Sequence, residues 1–293
     1  MSLFKPTISL LLLLGLLPVF QSCESQRAET DIVSVSIAPL KYFVDRLTEE
    51  GLEVNVMVPQ GSSHGTYSPS ARQMQKLSDS GLYLQIGHLG YEQAFIHRLH
   101  ELNPGMLRLD LSEKTYKIHG DHVCHGDHHH EGGIDPHIWM SPKVMLVLLP
   151  HIREALEEVF PHLASVIGSN YEPLYREVES LHIAMEELTS TLGHKRFLIF
   201  HPALTYLAHD YGMEQVAIEH EGKEPSAAQL SALIREARAE KIPVIFIQEE
   251  YDVRNAQLVA QETGASVEQI NPLAYEWVDG MHQLMETFKT HLQ

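Results

Sequence analysis

Residues 161–192 read PHLASVIGSNYEPLYREVESLHIAMEELTSTL, and how this stretch folds decides the architecture of the chain. Leu163, Ile167, Tyr171, Leu174, Val178, Leu181, Met185, Leu188 and Leu192 recur at intervals of three and four, which sets them along one stripe of an α-helix. Pro161 suits the first turn, where a missing N–H is no loss, and Gly193 suits the stop. Pro173 falls inside. An interior proline costs about 3 kcal/mol unless the helix kinks or restarts, and Asn170 is placed to cap a restart. We read the stretch as one long linking helix between two lobes.

On either side the chain alternates short apolar runs with amphipathic segments. Ile32–Ile37, Leu52–Val58, Leu82–Ile86 and Leu107–Leu111 come before the helix; Phe197–Phe200, Gln215–Ile218, Val244–Ile247 and Val267–Ile270 come after it. Near-continuous apolar runs separated by helical lengths are the pattern of buried parallel strands with right-handed crossovers. The expected fold class is therefore α/β: two four-stranded parallel (βα)4 lobes joined by one long linking helix. The N-terminal lobe takes residues 23–160, the linking helix 161–192 and the C-terminal lobe 193–293.

The 293 residues are 44% hydrophobic and 20% charged, enough to bury a core and unlike a disordered chain. Acidic residues outnumber basic ones 39 to 21, for a formal net charge of −18. No nucleic-acid partner is expected, because phosphate contacts require basic surface. Two cysteines exclude a multi-disulfide scaffold and a four-cysteine zinc site. Near the start, Lys5 precedes an apolar run from Ile8 to Phe20, too short to span a bilayer and suited to the core of a signal peptide. The run ends at Gln21-Ser22-Cys23, which resembles a bacterial lipoprotein signal. That resemblance implies removal of residues 1–22, lipid on Cys23 and an extracytoplasmic protein anchored to a membrane, at the periplasmic face or the cell surface. With Cys23 lipidated, Cys124 is the sole thiol and no intramolecular disulfide forms.

Histidine is the anomaly, with 20 residues against 21 lysines and arginines. Three histidines lie at or beyond the carboxyl ends of predicted strands. His64 is in GSSHGTYSP (61–69), His137 in DPHIWMSP (135–142), and His201 closes the fifth strand in FLIFHP (197–202). Open α/β sheets bind ligands at that edge, and two lobes can present two such edges across a cleft. Neutral imidazole suits zinc and other late first-row ions, three imidazoles plus one further donor completing a tetrahedral shell. Six more histidines, His119, His122, His125, His128, His129 and His130, crowd the loop 117–131 beside Asp121 and Asp127. Such a tract offers many loose chelating pairs, and we read it as an accessory metal loop. Glu219-His220-Glu221, also at a strand end, reads as a solvated or helix-capping cluster.

The segment Asp135-Pro136-His137-Ile138-Trp139, His201 followed by Tyr206 and Tyr211-Gly212, and Glu224-Pro225-Ser226 resemble the metal-receptor class of ABC-transporter substrate-binding proteins, most of all its zinc-binding members. The resemblance covers nearly all of residues 31–293. It implies two four-stranded α/β lobes, a single linking helix and one zinc or manganese ion between the lobes. It further implies a monomeric receptor that hands its ion to the membrane permease of an ABC importer. His137 and His201 match the family's ligands. His64 departs from the pattern: the family writes Pro-His-x-Tyr, and His64-Gly65-Thr66-Tyr67 puts the histidine one residue early. The family's fourth ligand, an Asp before Pro-Leu, is here Asn271 of Asn271-Pro272-Leu273. The expected fourth donor is Asn271 or, in its place, Glu249. Zinc-specific members carry a histidine- and acid-rich loop where residues 117–131 lie.

Three nitrogens with at most one oxygen favour Zn2+ as the transported ligand, whereas Mn2+ sites recruit more carboxylate. A manganese receptor is the alternative within the class. From a different class, three histidines, zinc and water would also serve a hydrolase or lyase, with Glu249 or Glu250 as its general base. The chain has no His-Glu-x-x-His helix, no phosphate-cradling glycine loop and no Gly-x-Ser-x-Gly elbow. Leader, two-lobed pattern and histidine tract are all explained by metal capture, so no enzyme is expected. Adhesion to a host surface would leave the histidines unexplained.

Overall fold

The computed structural model of the protein describes residues 31–95, 103–119, 133–219 and 225–293. The leader 1–22, Cys23, Cys124 and the histidines from 122 to 130 lie outside the described residues. Each apolar run forms a strand, with ends that agree with the expected ones to within one residue. In the first lobe these are β1 (Ile32–Ile37), β2 (Glu53–Val58), β3 (Leu82–Gln85) and β4 (Leu107–Asp110), in the order β2-β1-β3-β4. In the second they are β5 (Arg196–Ile199), β6 (Glu214–Ala217), β7 (Val244–Gln248) and β8 (Ser266–Ile270), in the order β6-β5-β7-β8. All pairings are parallel; Val33 stands beside both Val54 and Leu82, and Leu198 beside Ile245.

Besides a helical stretch at 90–95, the α-helices among the described residues are α1 (Ala38–Thr48), α2 (Ala71–Asp79), α3 (Pro142–Val159), α4 (Ala164–Thr191), α5 (Thr205–Asp210), α6 (Ala227–Glu240), α7 (Arg254–Thr263) and α8 (Trp277–Leu292). Two of them start from reciprocal caps, Ser70 with Gln73 and Ser226 with Gln229, each of which satisfies two otherwise unpaired N–H groups. Alternation along the second sheet divides its side chains between two cores. Phe197, Ile199, Val244 and Phe246 enter a large core shared with the first lobe, while Leu198, Phe200, Ile245 and Ile247 enter a smaller one with Ala237 and Val259 of α6 and α7.

The linking helix α4 runs for 28 residues, about 42 Å at 1.5 Å per residue, after a 3-10 turn at Pro161–Leu163. Its buried stripe comprises Ile167, Leu174, Val178, Leu181 and Met185. The helix continues through Pro173 without a restart. Pro173 and Ser169 are both exposed, so the carbonyl that the proline leaves without a partner is open to water. Asn170 caps nothing; its amide donates to the Leu47 carbonyl and to Glu49, both at 3.3 Å, and ties the helix to the end of α1. The helix ends at Leu192 with extended backbone, and Gly193 does not take the left-handed conformation of a glycine stop.

Residue 193 marks the second lobe in the sequence, yet the last helix packs back beyond that line. Trp277, Met281, Leu284 and Phe288 of α8 lie in the large core with Phe43, Trp139 and Val178. Trp277 Nε1 donates to the Trp139 carbonyl at 2.9 Å, and Trp139 Nε1 donates to the Pro272 carbonyl at 2.8 Å. The two indoles stitch the lobes together, each with its one polar atom satisfied inside apolar surroundings. Trp277→Ala is expected to destabilise the protein by about 3–5 kcal/mol, measured as a lowered urea midpoint.

Candidate metal centre

His64 follows β2 in a turn in which the Ser63 carbonyl accepts the N–H groups of Thr66 at 3.2 Å and Tyr67 at 2.9 Å. The turn buries the ring to 4% exposure. His137 is held by its own neighbour: Asp135 Oδ1 accepts both the His137 backbone N–H and the ring Nδ1–H at 2.8 Å. His201 stands two residues past the end of β5 rather than within it. There Gln248, the last residue of β7, brackets its peptide unit, accepting the His201 N–H at 3.2 Å and donating to its carbonyl at 2.6 Å. Three separate strand-end loops thus deliver three imidazoles.

The three Nε2 atoms converge. His64 and His137 stand 2.9 Å apart, and His201 is 3.3 Å from each. Donors bound at 2.0–2.1 Å around a tetrahedral zinc lie about 3.3–3.4 Å from one another, so the spacing fits such an ion. Among the described residues these three form the one group of histidine, cysteine or acidic side chains able to hold a metal.

Two buried carboxylates decide which nitrogens carry protons. His137 Nδ1 faces Asp135 at 2.8 Å and His201 Nδ1 faces Glu219 at 2.5 Å. A proton on each Nδ1 leaves the Nε2 lone pair turned toward the shared centre. Both lone pairs face His64, whose Nε2 is within hydrogen-bond distance of His137 at 2.9 Å, and the two carboxylates supply the charge that neutralises a dication. Burial, and then the neighbouring rings of His137 and His201, push the His64 imidazole well below the usual histidine range. Burial also lowers His137, against the opposing pull of Asp135. Burial would raise the Asp135 carboxyl, but the His137 ring and the Thr205 hydroxyl outweigh it and hold the group below its ordinary value. The walls are aromatic: Trp139 lies 5.1 Å from the His137 ring, and Tyr251 stacks on His201 at 5.5 Å.

Glu249 is not part of this group. The Asn271 carbonyl oxygen accepts the Leu273 N–H at 3.0 Å, closing a turn over Pro272, and its amide donates to Glu249 at 3.3 Å. The turn resembles the one that Asp135 Oδ1 closes over Pro136. Of the accessory loop, His119 is described; it forms a bridge with Ile134 and stands apart from the three histidines. The other five histidines lie outside the described residues. Glu219 overturns the reading of a solvated acid: it is 8% exposed and carries the proton side of His201. The Asp135 role is readable from a carboxylate two residues before His137; Glu219 leaves no signal beyond its place at a strand end.

Lowered pKa values mean that the metal-free rings stay neutral to more acidic pH than an ordinary histidine. At pH 6, where a free histidine of pKa about 6.5 is mostly charged, long-range 1H–15N NMR of the metal-free protein should show His64 neutral and His137 less protonated than a free histidine.

The sequence profile of the family described as zinc-uptake complex component A, periplasmic, matches residues 33–291. The zinc-binding lipoprotein AdcA of Streptococcus pneumoniae R6 is 29% identical over 284 residues, covering 90% of this chain and 54% of the relative. The chain therefore spans about half the length of the curated relatives it matches. The crystal structure of ZnuA superimposes with a TM-score of 0.80 at 29% identity, over 89% of this chain and 99% of the other. A zinc-bound deletion mutant of ZnuA gives the same TM-score, 0.80, over 90% of this chain and 98% of the other. With a match that runs from the first strand to the last helix, this chain belongs to the family of periplasmic component A of zinc-uptake complexes.

Proposed function

We propose that the protein is an extracytoplasmic receptor that captures Zn2+ with His64, His137 and His201 and delivers it to the permease of an ABC importer. The observation that carries this reading is the convergence of three Nε2 atoms within 2.9–3.3 Å of one another. Two of the rings are fixed from behind by carboxylates, a pairing that orients metal-binding imidazoles and raises their basicity. An all-nitrogen donor set selects zinc over manganese. Hydrated zinc exchanges water for three imidazoles, and a fourth position stays available to water. The formal charge of −18 enriches cations near the cleft. The segment 117–131, with its six histidines, holds further ions loosely and raises their local concentration. After removal of residues 1–22, lipid on Cys23 keeps the receptor at the membrane. It works as a monomer.

Capture suits the site better than catalysis. A hydrolase needs a free base beside the bound water, but Asp135 and Glu219 are committed to histidine rings and Glu249 to the Asn271 amide. Glu250, half-buried and raised by that burial, is the acid left for such a role. Zinc-dependent ester hydrolysis that disappears in Glu250→Gln would favour the enzyme.

Calorimetry of the chelator-stripped protein should show one tight zinc and further weak ones, with Mn2+ at least about tenfold weaker than zinc at the tight site. His137→Ala and His201→Ala should each abolish the tight class, and wild-type affinity in His137→Ala would sink the assignment. Protons compete for the same nitrogens, so affinity falls with pH. Because His64 and His137 resist protonation, the fall should set in below about pH 6.5; a pH-independent constant from 7 to 5 would exclude histidine ligands.

A further inference from the structure

The carboxylate that orients His137 is itself held from the opposite lobe. Asp135 uses Oδ1 on His137, and its Oδ2 accepts a hydrogen bond from Thr205 Oγ1 at 2.6 Å. Thr205 opens α5, four residues after His201, in the C-terminal lobe. The direction of that bond is fixed by a third residue. Gln215 Oε1 accepts the Leu204 N–H at 3.0 Å, which turns the Gln215 amide group toward Thr205 Oγ1. A hydroxyl that accepts from Gln215 has its own hydrogen left to donate, with the Pro202 carbonyl at 3.2 Å as the weaker alternative to Asp135. The next residue repeats the contact on the backbone. The Tyr206 hydroxyl donates to the Asp135 carbonyl at 3.2 Å and accepts the Ile118 N–H at 3.1 Å. Asp135 is 6% exposed and Tyr206 fully buried, so neither bond is replaced by bulk water while the lobes are together.

We propose that Thr205 and Tyr206 are positioning residues that make His137 a fully oriented donor only while the two lobes are apposed, so that lobe separation weakens the metal site from behind as well as pulling its ligands apart. The inference rests on the reading that the three histidines hold zinc. His64 and His137 come from one lobe and His201 from the other, so separation removes one nitrogen directly. Loss of the Thr205 and Tyr206 hydroxyls leaves Asp135 held only by contacts within its own lobe, the His137 backbone N–H and the Ile118 carbonyl, so the carboxylate and the His137 ring it orients gain freedom. A permease that opens the cleft slightly would then release the ion without having to reach it.

The test uses the full chain and zinc alone, with affinity from competition against a chromogenic chelator and release from stopped-flow. Thr205→Val keeps the shape and removes the hydroxyl; it should weaken zinc about 10–100-fold, the range for loss of a partner behind a ligand, chiefly through faster release. Thr205→Ser restores the hydroxyl and should restore most of the affinity. In an Asp135→Asn background Thr205→Val should add little, because both changes break one chain. Tyr206→Phe keeps the buried ring and should speed release severalfold, providing a second variant if Thr205→Val folds poorly. Wild-type affinity in both Thr205→Val and Tyr206→Phe would overturn the proposal, and so would a Thr205→Ser protein as weak as Thr205→Val. Absence of tight zinc binding in the wild type would instead overturn the receptor reading itself.

Discussion

Two buried carboxylates govern this protein's centre. Asp135 and Glu219 each take the Nδ1 proton of a histidine, and that choice points two Nε2 lone pairs at a third. Without those acids the rings could turn or swap tautomers, and three imidazoles in one cleft would be a cluster of hydrogen-bonding side chains. With them, two Nε2 lone pairs are held facing the place where a cation would sit. The net charge of the group also follows: three neutral rings and two carboxylates balance one dication.

Holding donors from two lobes within 3.3 Å requires a frame that does not drift. The linking helix and the C-terminal helix supply it, because both bury their apolar faces in a core that also contains β1, α1 and Trp139. The tryptophan pair at 139 and 277 bonds across that core in both directions. A close-packed interior of this kind resists gradual deformation, so motion between the lobes is restricted to small displacements. Small displacements matter at the centre, where a ligand in one lobe depends on hydroxyls from the other.

Several of these features are legible in the order of the amino acids. Strand positions agree to within a residue because a buried parallel strand writes its burial into consecutive apolar residues. The histidines at 64, 137 and 201 stand out by location at strand ends, and the fold brings those three side chains together. Other expectations fail for identifiable reasons. How Pro173 is tolerated inside the helix depends on the exposure of the carbonyl it leaves unpaired, which the helical stripe does not encode. Glu219 lies 18 residues from His201, and nothing local marks this strand-end acid as buried.

The sequence by itself determined the elements, their parallel arrangement in two sets of four, and the three strand-end histidines that meet, because each of these is marked by residues close together in the chain. Tertiary structure alone decided which donors are completed and which are spent elsewhere. Asp135 reaches Thr205 across 70 residues, His201 reaches His64 across 137, and Trp277 reaches Trp139 across 138. Those meetings depend on how the linking helix sets one sheet edge against the other, and no local pattern carries that relation. Periodicity fixes the faces of an element; only packing fixes what those faces meet.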